Sequence, residues 1–276
     1  MIITSNQILN IFSPTGRVVF DNRTLTDSFF LYPSYDQTNI QLTRFTFLGE
    51  VQLGFQDVKF VELNFTDSVF ENTLKISIRG EGLVMINLSN CRFNAGLTIE
   101  SKNINTVVIA NNCKANGEIQ LGNSSFSKLL FNEFQFNELS ARNIFDFDSS
   151  TVANEFSSNK AYLGKCIFSD STFNCNANFD YAKFDDGTFY NTSFGGDAYF
   201  NGAEFGKHFF CNGSTFFKKL ILVQCNLKSS DCISDFSGAK FQDEVYFNFS
   251  KFKSITFKNC SFDYVASFKD SESIAS

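Results

Sequence analysis

Residues 168–216 read FSDSTFNCNANFDYAKFDDGTFYNTSFGGDAYFNGAEFGKHFFCNGSTF, with Phe at 168, 173, 179, 184, 189, 194, 200, 205, 210 and 216. Every step is five or six positions. With 38 Phe in 276 residues, such a step lands on Phe by chance about one time in four, so nine in a row is an accident on the order of a few in a million. The beat returns at Phe247, Phe252, Phe257, Phe262 and Phe268. Both Phe179–Phe200 and Phe247–Phe268 step as 5-5-5-6, so the pattern recurs at every twenty-first position.

A period of five fits neither a helix at 3.6 nor a strand at 2.0. It fits a square coil in which each side is one short extended segment plus a corner. One large side chain per side then points to the axis, and stacked coils place each Phe about 4.8 Å from its equivalent. Burial of roughly 1.5–3 kcal/mol per Phe supplies the cohesion, so stability grows with the number of coils. A second column agrees. Two positions before the pacing Phe stands a small residue: Ala177, Ala182, Ala198, Ala203, Ala239, Ala266, Ser171 and Thr192. In extended backbone i and i−2 share a side, so this residue shares the interior with the ring.

These residues resemble pentapeptide repeat proteins, in which a small residue precedes a central Leu or Phe by two positions. The nearest matches are Tyr181-Ala182-Lys183-Phe184, Gly202-Ala203-Glu204-Phe205 and Gly238-Ala239-Lys240-Phe241. The resemblance implies an all-β fold, a right-handed quadrilateral parallel β-helix. It is specific over 166–268, weaker over 45–136 and absent from 1–44. Two features depart from the family pattern: the Asp or Asn before the central residue is mostly missing, and Phe has almost displaced Leu.

Between these regions the period continues with other residues. Phe55, Phe60, Phe65 and Phe70 step by five. Aliphatic alternations follow at Leu74, Ile76 and Ile78, then Ile86 and Leu88, Leu97 and Ile99, Val107 and Ile109, and Ile119 and Leu121. Ile76 to Leu97 and Ile86 to Val107 repeat the step of twenty-one, and Leu97 to Ile119 adds one more. Residues 74–121 therefore read as a parallel β-helix with longer strands. The expected map is a capping segment 1–44, a β-helix of about ten coils over 45–268, on the order of 50 Å long, and a polar tail 269–276.

No apolar run approaches the length of a membrane span and Met1-Ile2-Ile3-Thr4 lacks a leader pattern, so a cytoplasmic protein without membrane attachment is expected. Eight cysteines and one His form no Cys-X-X-Cys or zinc spacing, so no metal or cofactor is expected. Cys91, Cys166, Cys225 and Cys260 instead fall in the small inward slot, as buried hydrophobes.

Catalysis is not expected, because every imidazole device would have to use His208 and no phosphate loop is present. The expected function is a non-enzymatic scaffold that binds a protein partner through its outer side chains. Some pentapeptide proteins protect DNA gyrase by imitating DNA, so the first alternative is a mimic facing a topoisomerase or another DNA-binding protein. A net charge of −6 suits such a partner and argues against direct nucleic-acid binding. The second alternative, a polysaccharide-active β-helix, would use Asp185-Asp186, Asp197 and Asp243-Glu244. Against mimicry, a coil of constant length stacks Asp186 between Lys165 and Lys207, with Lys228 beyond, and Asp197 beneath Lys218, which gives mixed charge. The partner-binding candidates are Asp185, Asp186, Asp197, Lys218, Lys219 and Lys228, and the irregular stretches 137–165 and 217–235 are the places for specific contacts. With no element to cover the last Phe layer, the C-terminal coils are expected to be buried against a second copy, as a homodimer, or against a partner.

Overall fold

The computed structural model describes residues 2–12, 16–33, 36–136, 144–229 and 231–273. The chain divides into two compact units, Met1–Asn143 and Ile144–Ser276. Each is a stack of parallel β-coils, with about 12 turns in all, slightly more than the expected ten.

In the first unit most turns have a longer strand, a two-residue strand and a second longer strand. One wall stacks Arg17–Asp21, Gln37–Thr43, Phe60–Asn64, Leu83–Asn87, Thr106–Ile109 and Ser125–Leu130. Its inward column runs Val18, Ile40, Leu63, Ile86, Val108 and Leu129, all buried. A corner column carries Leu25, Phe47, Phe70, Phe93, Ala115 and Phe136. The Phe47 and Phe70 rings stack at 4.7 Å and 4°.

Parallel pairing therefore begins well before residue 45, and the expected boundary of a separate 1–44 segment is corrected. That segment lacks the Phe beat, but its period-two alternation at Ile40 and Leu42 serves the same interior. Helix α1 (Ser5–Phe12) packs Ile8 and Phe12 onto the first coils. At its start the Thr4 amide donates to Gln7 Oε1 at 2.8 Å, one half of a capping box. The Ser5 amide donates to both Asp27 carboxylate oxygens at 3.0 and 3.1 Å. The Ser5 hydroxyl and amide hold the Asp27 carboxyl below its ordinary range. A carboxyl depressed by folding stabilises above its unfolded pKa and loses that contribution as pH falls through the folded value. Acidification below about pH 4 should therefore release α1 before the coils, with helical exchange protection at Ile8 lost first. Asp27→Asn should abolish this pH dependence.

Two expected registers differ. Ile76 pairs with Ile99 and Leu74 with Leu97, so the coil is two positions longer than expected. This longer coil includes the Gly80–Gly82 corner, where Gly80 has φ +104. A shift of two keeps the same face, so Ile76 and Ile78 stay inside. Ile86, however, pairs with Val108 rather than Val107, and an odd shift turns the strand over. Thr106, Val108 and Ala110 are buried, while Val107 and Ile109 face outward. The cause is a buried polar corner: Ser101 Oγ and Thr106 Oγ1 lie 2.8 Å apart, and the Asn105 amide donates to Asn103 Oδ1 at 2.8 Å. Phe60 likewise starts its strand facing outward, and Val61 takes the inward place.

The second unit has the short four-sided coil. Thr172–Phe173, Ser193–Phe194, Thr215–Phe216, Lys240–Phe241 and Ser261–Phe262 stack in register. Ring pairs lie nearly parallel, with Phe194–Phe216 at 4.8 Å and 3° and Phe184–Phe205 at 4.6 Å and 5°. The five-residue module is one tight turn: the Ala182 amide donates to Phe179 O at 3.1 Å and Ala203 to Phe200 O at 3.1 Å. The third residue of these turns has positive φ, +58 at Tyr181 and +65 at Gly202. The small slot residue closes the turn and, where it has a donor, bonds one coil back. Thr192 Oγ1 donates to Phe168 O at 2.7 Å and Ser171 Oγ to Phe147 O at 2.6 Å. Cys225 donates to Phe200 O at 2.8 Å, Cys260 to Phe236 O at 2.8 Å and, in the first unit, Cys113 to Leu88 O at 2.9 Å. Burial pushes the Cys113 and Cys225 thiols up to about 12, which leaves no thiolate for chemistry at neutral pH.

The pacing Phe210 is displaced. Cys211 takes the ring position above Phe189, and Phe209 turns inward over Gly187, 4.2 Å from the Phe205 ring. Phe210 faces outward and stacks on Tyr190 at 5.7 Å and 15°. In the last described coil Phe262 is 39% and Phe268 43% exposed. Strand pairing continues to Ser273, through Lys251–Phe252 with Glu272–Ser273, into the expected polar tail.

Candidate partner-binding groove

The six candidate residues fall in three places on the second unit. Asp186 lies over Lys165 as expected, but its upper neighbour is His208, not Lys207. The strand Glu204–Phe210 carries one more residue between Phe205 and His208 than the strand below, and the register shift turns Lys207 out. His208 Nδ1 stands 3.2 Å from Asp186 Oδ1. Asp197 lies against Lys219 rather than Lys218, because the coil from Phe194 to Phe216 is one residue longer than its neighbour below. Asp197 accepts from the Lys219 amide at 3.1 Å and from the Tyr199 hydroxyl at 2.9 Å. Lys219 Nζ reaches Glu244 at 2.8 Å, and Tyr246 donates to the same carboxylate at 2.7 Å. The Lys219 bond holds the Glu244 carboxyl below its usual range and the Lys219 ammonium above its own. Lys218 sits exposed beside this network.

Asp185 and Lys228 meet in a hollow of about 420 Å³ beside the bulge. Its walls are Tyr162, Lys183, Glu204 and Asn226, and the strand segments at Phe184 and Phe205 also line it. Tyr162 donates to Asp185 Oδ2 at 2.8 Å and Lys183 pairs with Glu204 at 3.3 Å. Gly206 lines the hollow above Asp185, and a Cβ there would come 3.2 Å from Asp185 O. Among the described residues Lys228 has no ion-pair partner, and Asn226 Oδ1 is buried without a hydrogen bond. The sequence flagged Asp185, Lys228 and the stretch 217–235. Tyr162 and Asn226 fall inside the flagged stretches 137–165 and 217–235, whereas Glu204 was missed, although the one-coil step from Lys183 to Glu204 was readable.

The stretch 137–165 is partly outside the described residues, which resume at Ile144. Among the described residues no three His, Cys, Asp or Glu side chains are grouped to hold a metal. Among them, too, no helix is long and apolar enough to cross a membrane.

The fold is thus a parallel β-solenoid whose interior is filled and whose outer wall carries paired charges and this hollow. Residues 159–204 match the family model described as pentapeptide repeats (9 copies), which supports a pentapeptide repeat architecture over that stretch. No curated protein and no solved structure matches the chain.

Proposed function

We propose that the protein is a non-enzymatic, cytoplasmic scaffold that binds a protein partner through the outer wall of its coils. The observation that carries this reading is the division of labour between faces. Inward positions are closed by rings and by hydroxyls and thiols bonded to carbonyls. The outer wall carries the charged groups, and in the hollow at Asp185 and Lys228 the lysine has no ion-pair partner among the described residues. The test is cross-linking of the full chain in its native cell, followed by mass spectrometry: cross-links from residues 183–228 to one partner are expected. Cross-links to none would refute it.

The DNA-mimic alternative is weakened by ion pairs that alternate sign from coil to coil. Lys183–Glu204 and Lys251–Glu272 lie on one wall, Lys219–Glu244 on another, and Arg44–Asp21, Lys59–Asp36 and Lys75–Glu50 on the first unit. Inhibition of gyrase supercoiling by micromolar protein would revive it. The polysaccharide-enzyme alternative fares no better, since Lys219 bonds both Asp197 and Glu244.

A second reading concerns assembly. Phe262, Tyr264, Val265 and Phe268 lie exposed on the final coil, whereas α1 covers the first coils. A like surface is therefore offered by the same end of a second copy, and a two-fold pairing closes without forming fibres. Sedimentation should give a dimer that Phe268→Lys converts to monomer, and a wild-type monomer would end this reading.

A further inference from the structure

We propose that the hollow at Asp185 and Lys228 takes a polyproline-II segment of the partner that carries a basic residue three positions before an acidic one. This rests on the partner-binding reading above and names the chemistry that the site would select.

Three observations carry it. First, the hollow is lined in succession by Asp185, Gly206 and Lys228, one from each of three successive coils. The trough therefore runs along the coil stack, from Asp185 towards Lys228. Second, its two ends carry opposite charge. Asp185 is oriented by the Tyr162 hydroxyl at 2.8 Å, while the Lys228 ammonium, two coils further, has no counter-ion among the described residues. Third, Asn226 lines the hollow beside Lys228 and brings a side-chain amide to that end. Asn226 and Lys228 belong to the same coil, so one ligand residue can satisfy both. Its backbone meets the Asn226 amide and its carboxylate meets Lys228.

The spacing selects the backbone. Two coils rise about 9.6 Å. Residues i and i+3 of a polyproline-II helix lie on one face, about 9.3 Å apart. In a β-strand i and i+3 point to opposite sides, so a strand presents only one of the two charges. Such a segment also loses little conformational entropy on binding, which suits a shallow site.

The probe is the peptide Ac-Lys-Pro-Pro-Glu-NH2, titrated into the full chain by calorimetry and amide NMR. Saturable binding is expected, with shifts at Gly206, Asn226 and Lys228. Lys228→Gln should weaken it about tenfold and Asp185→Asn comparably, the loss of one charge-assisted bond each. Ac-Lys-Pro-Pro-Lys-NH2 should bind no better to wild type than Ac-Lys-Pro-Pro-Glu-NH2 binds to Lys228→Gln. Both substitutions are on the surface, and unchanged circular dichroism checks that the coils are intact. No binding at about 5 mM peptide, or equal binding by Lys228→Gln, overturns the proposal. A partner held equally well by wild type and Lys228→Gln would also overturn it and leave the scaffold reading standing. Absence of any partner defeats that reading instead.

Discussion

Phe184→Asp should unfold the coils around it. Phe184 is 3% exposed and stacks on Phe205 at 4.6 Å and 5°. Removing the ring leaves a cavity, typically costing about 3–5 kcal/mol, and the new carboxylate has no inward partner. A domain holds only about 5–15 kcal/mol in total, so the second unit should lose its cooperative urea transition. The parallel stack spreads the damage, because each coil is held by the two it touches. Phe217→Asp is the matching control. Phe217 is 45% exposed at a corner, and its replacement should change stability by no more than about 0.5 kcal/mol. A soluble Phe184→Asp chain with undiminished β circular dichroism would contradict the inward assignment.

The second large effect is expected in the first unit, at Gly82→Ala. A Cβ on Gly82 would overlap Val58 O and lie 2.8 Å from Lys59 C. Both are backbone atoms of the coil below, so a side-chain rotation cannot relieve the clash. The whole corner must lift, breaking the bond from the Leu83 amide to Lys59 O, now 3.0 Å. Overpacking of this kind costs about 1–3 kcal/mol and the broken bond about 1 kcal/mol more. The urea midpoint of the first unit should fall accordingly, and an unchanged midpoint would show that the coils there are not in close backbone contact.

Much of the second unit was legible because one residue type marks each side of the coil. A five-residue period has no helical or strand explanation, and the small slot two positions earlier settled which side faces in. The same logic failed wherever a corner gained a residue. At Phe209–Phe210 the ring that faces inward is decided by Gly187 below it, a contact made only when one coil lies on the next. At Val107 and Ile109 the sequence offered two alternating sets of apolar residues, and a buried Ser–Asn–Thr corner chose the other. The strands between residues 17 and 43 lack Phe pacing, and their short alternation at Ile40 and Leu42 carries no five-residue beat.

The candidate residues were legible as charges but not as neighbours. Column arithmetic with a constant coil length placed Lys165 under Asp186 correctly. It then misplaced Lys207 and Lys218, because the next coil is one residue longer. The hollow could not be read at all. It is lined by Tyr162, Asp185, Gly206 and Lys228 from successive coils, which meet only in the folded stack.

If the pacing rings are interior, the wall alone meets solvent and partners. Hydroxyl-radical footprinting with mass spectrometry measures this ring by ring on the native chain. Phe173, Phe179, Phe184, Phe194 and Phe200 should stay unmodified while Tyr181, Phe217, Phe249 and Tyr264 oxidise readily. Equal oxidation of the two sets would contradict the account.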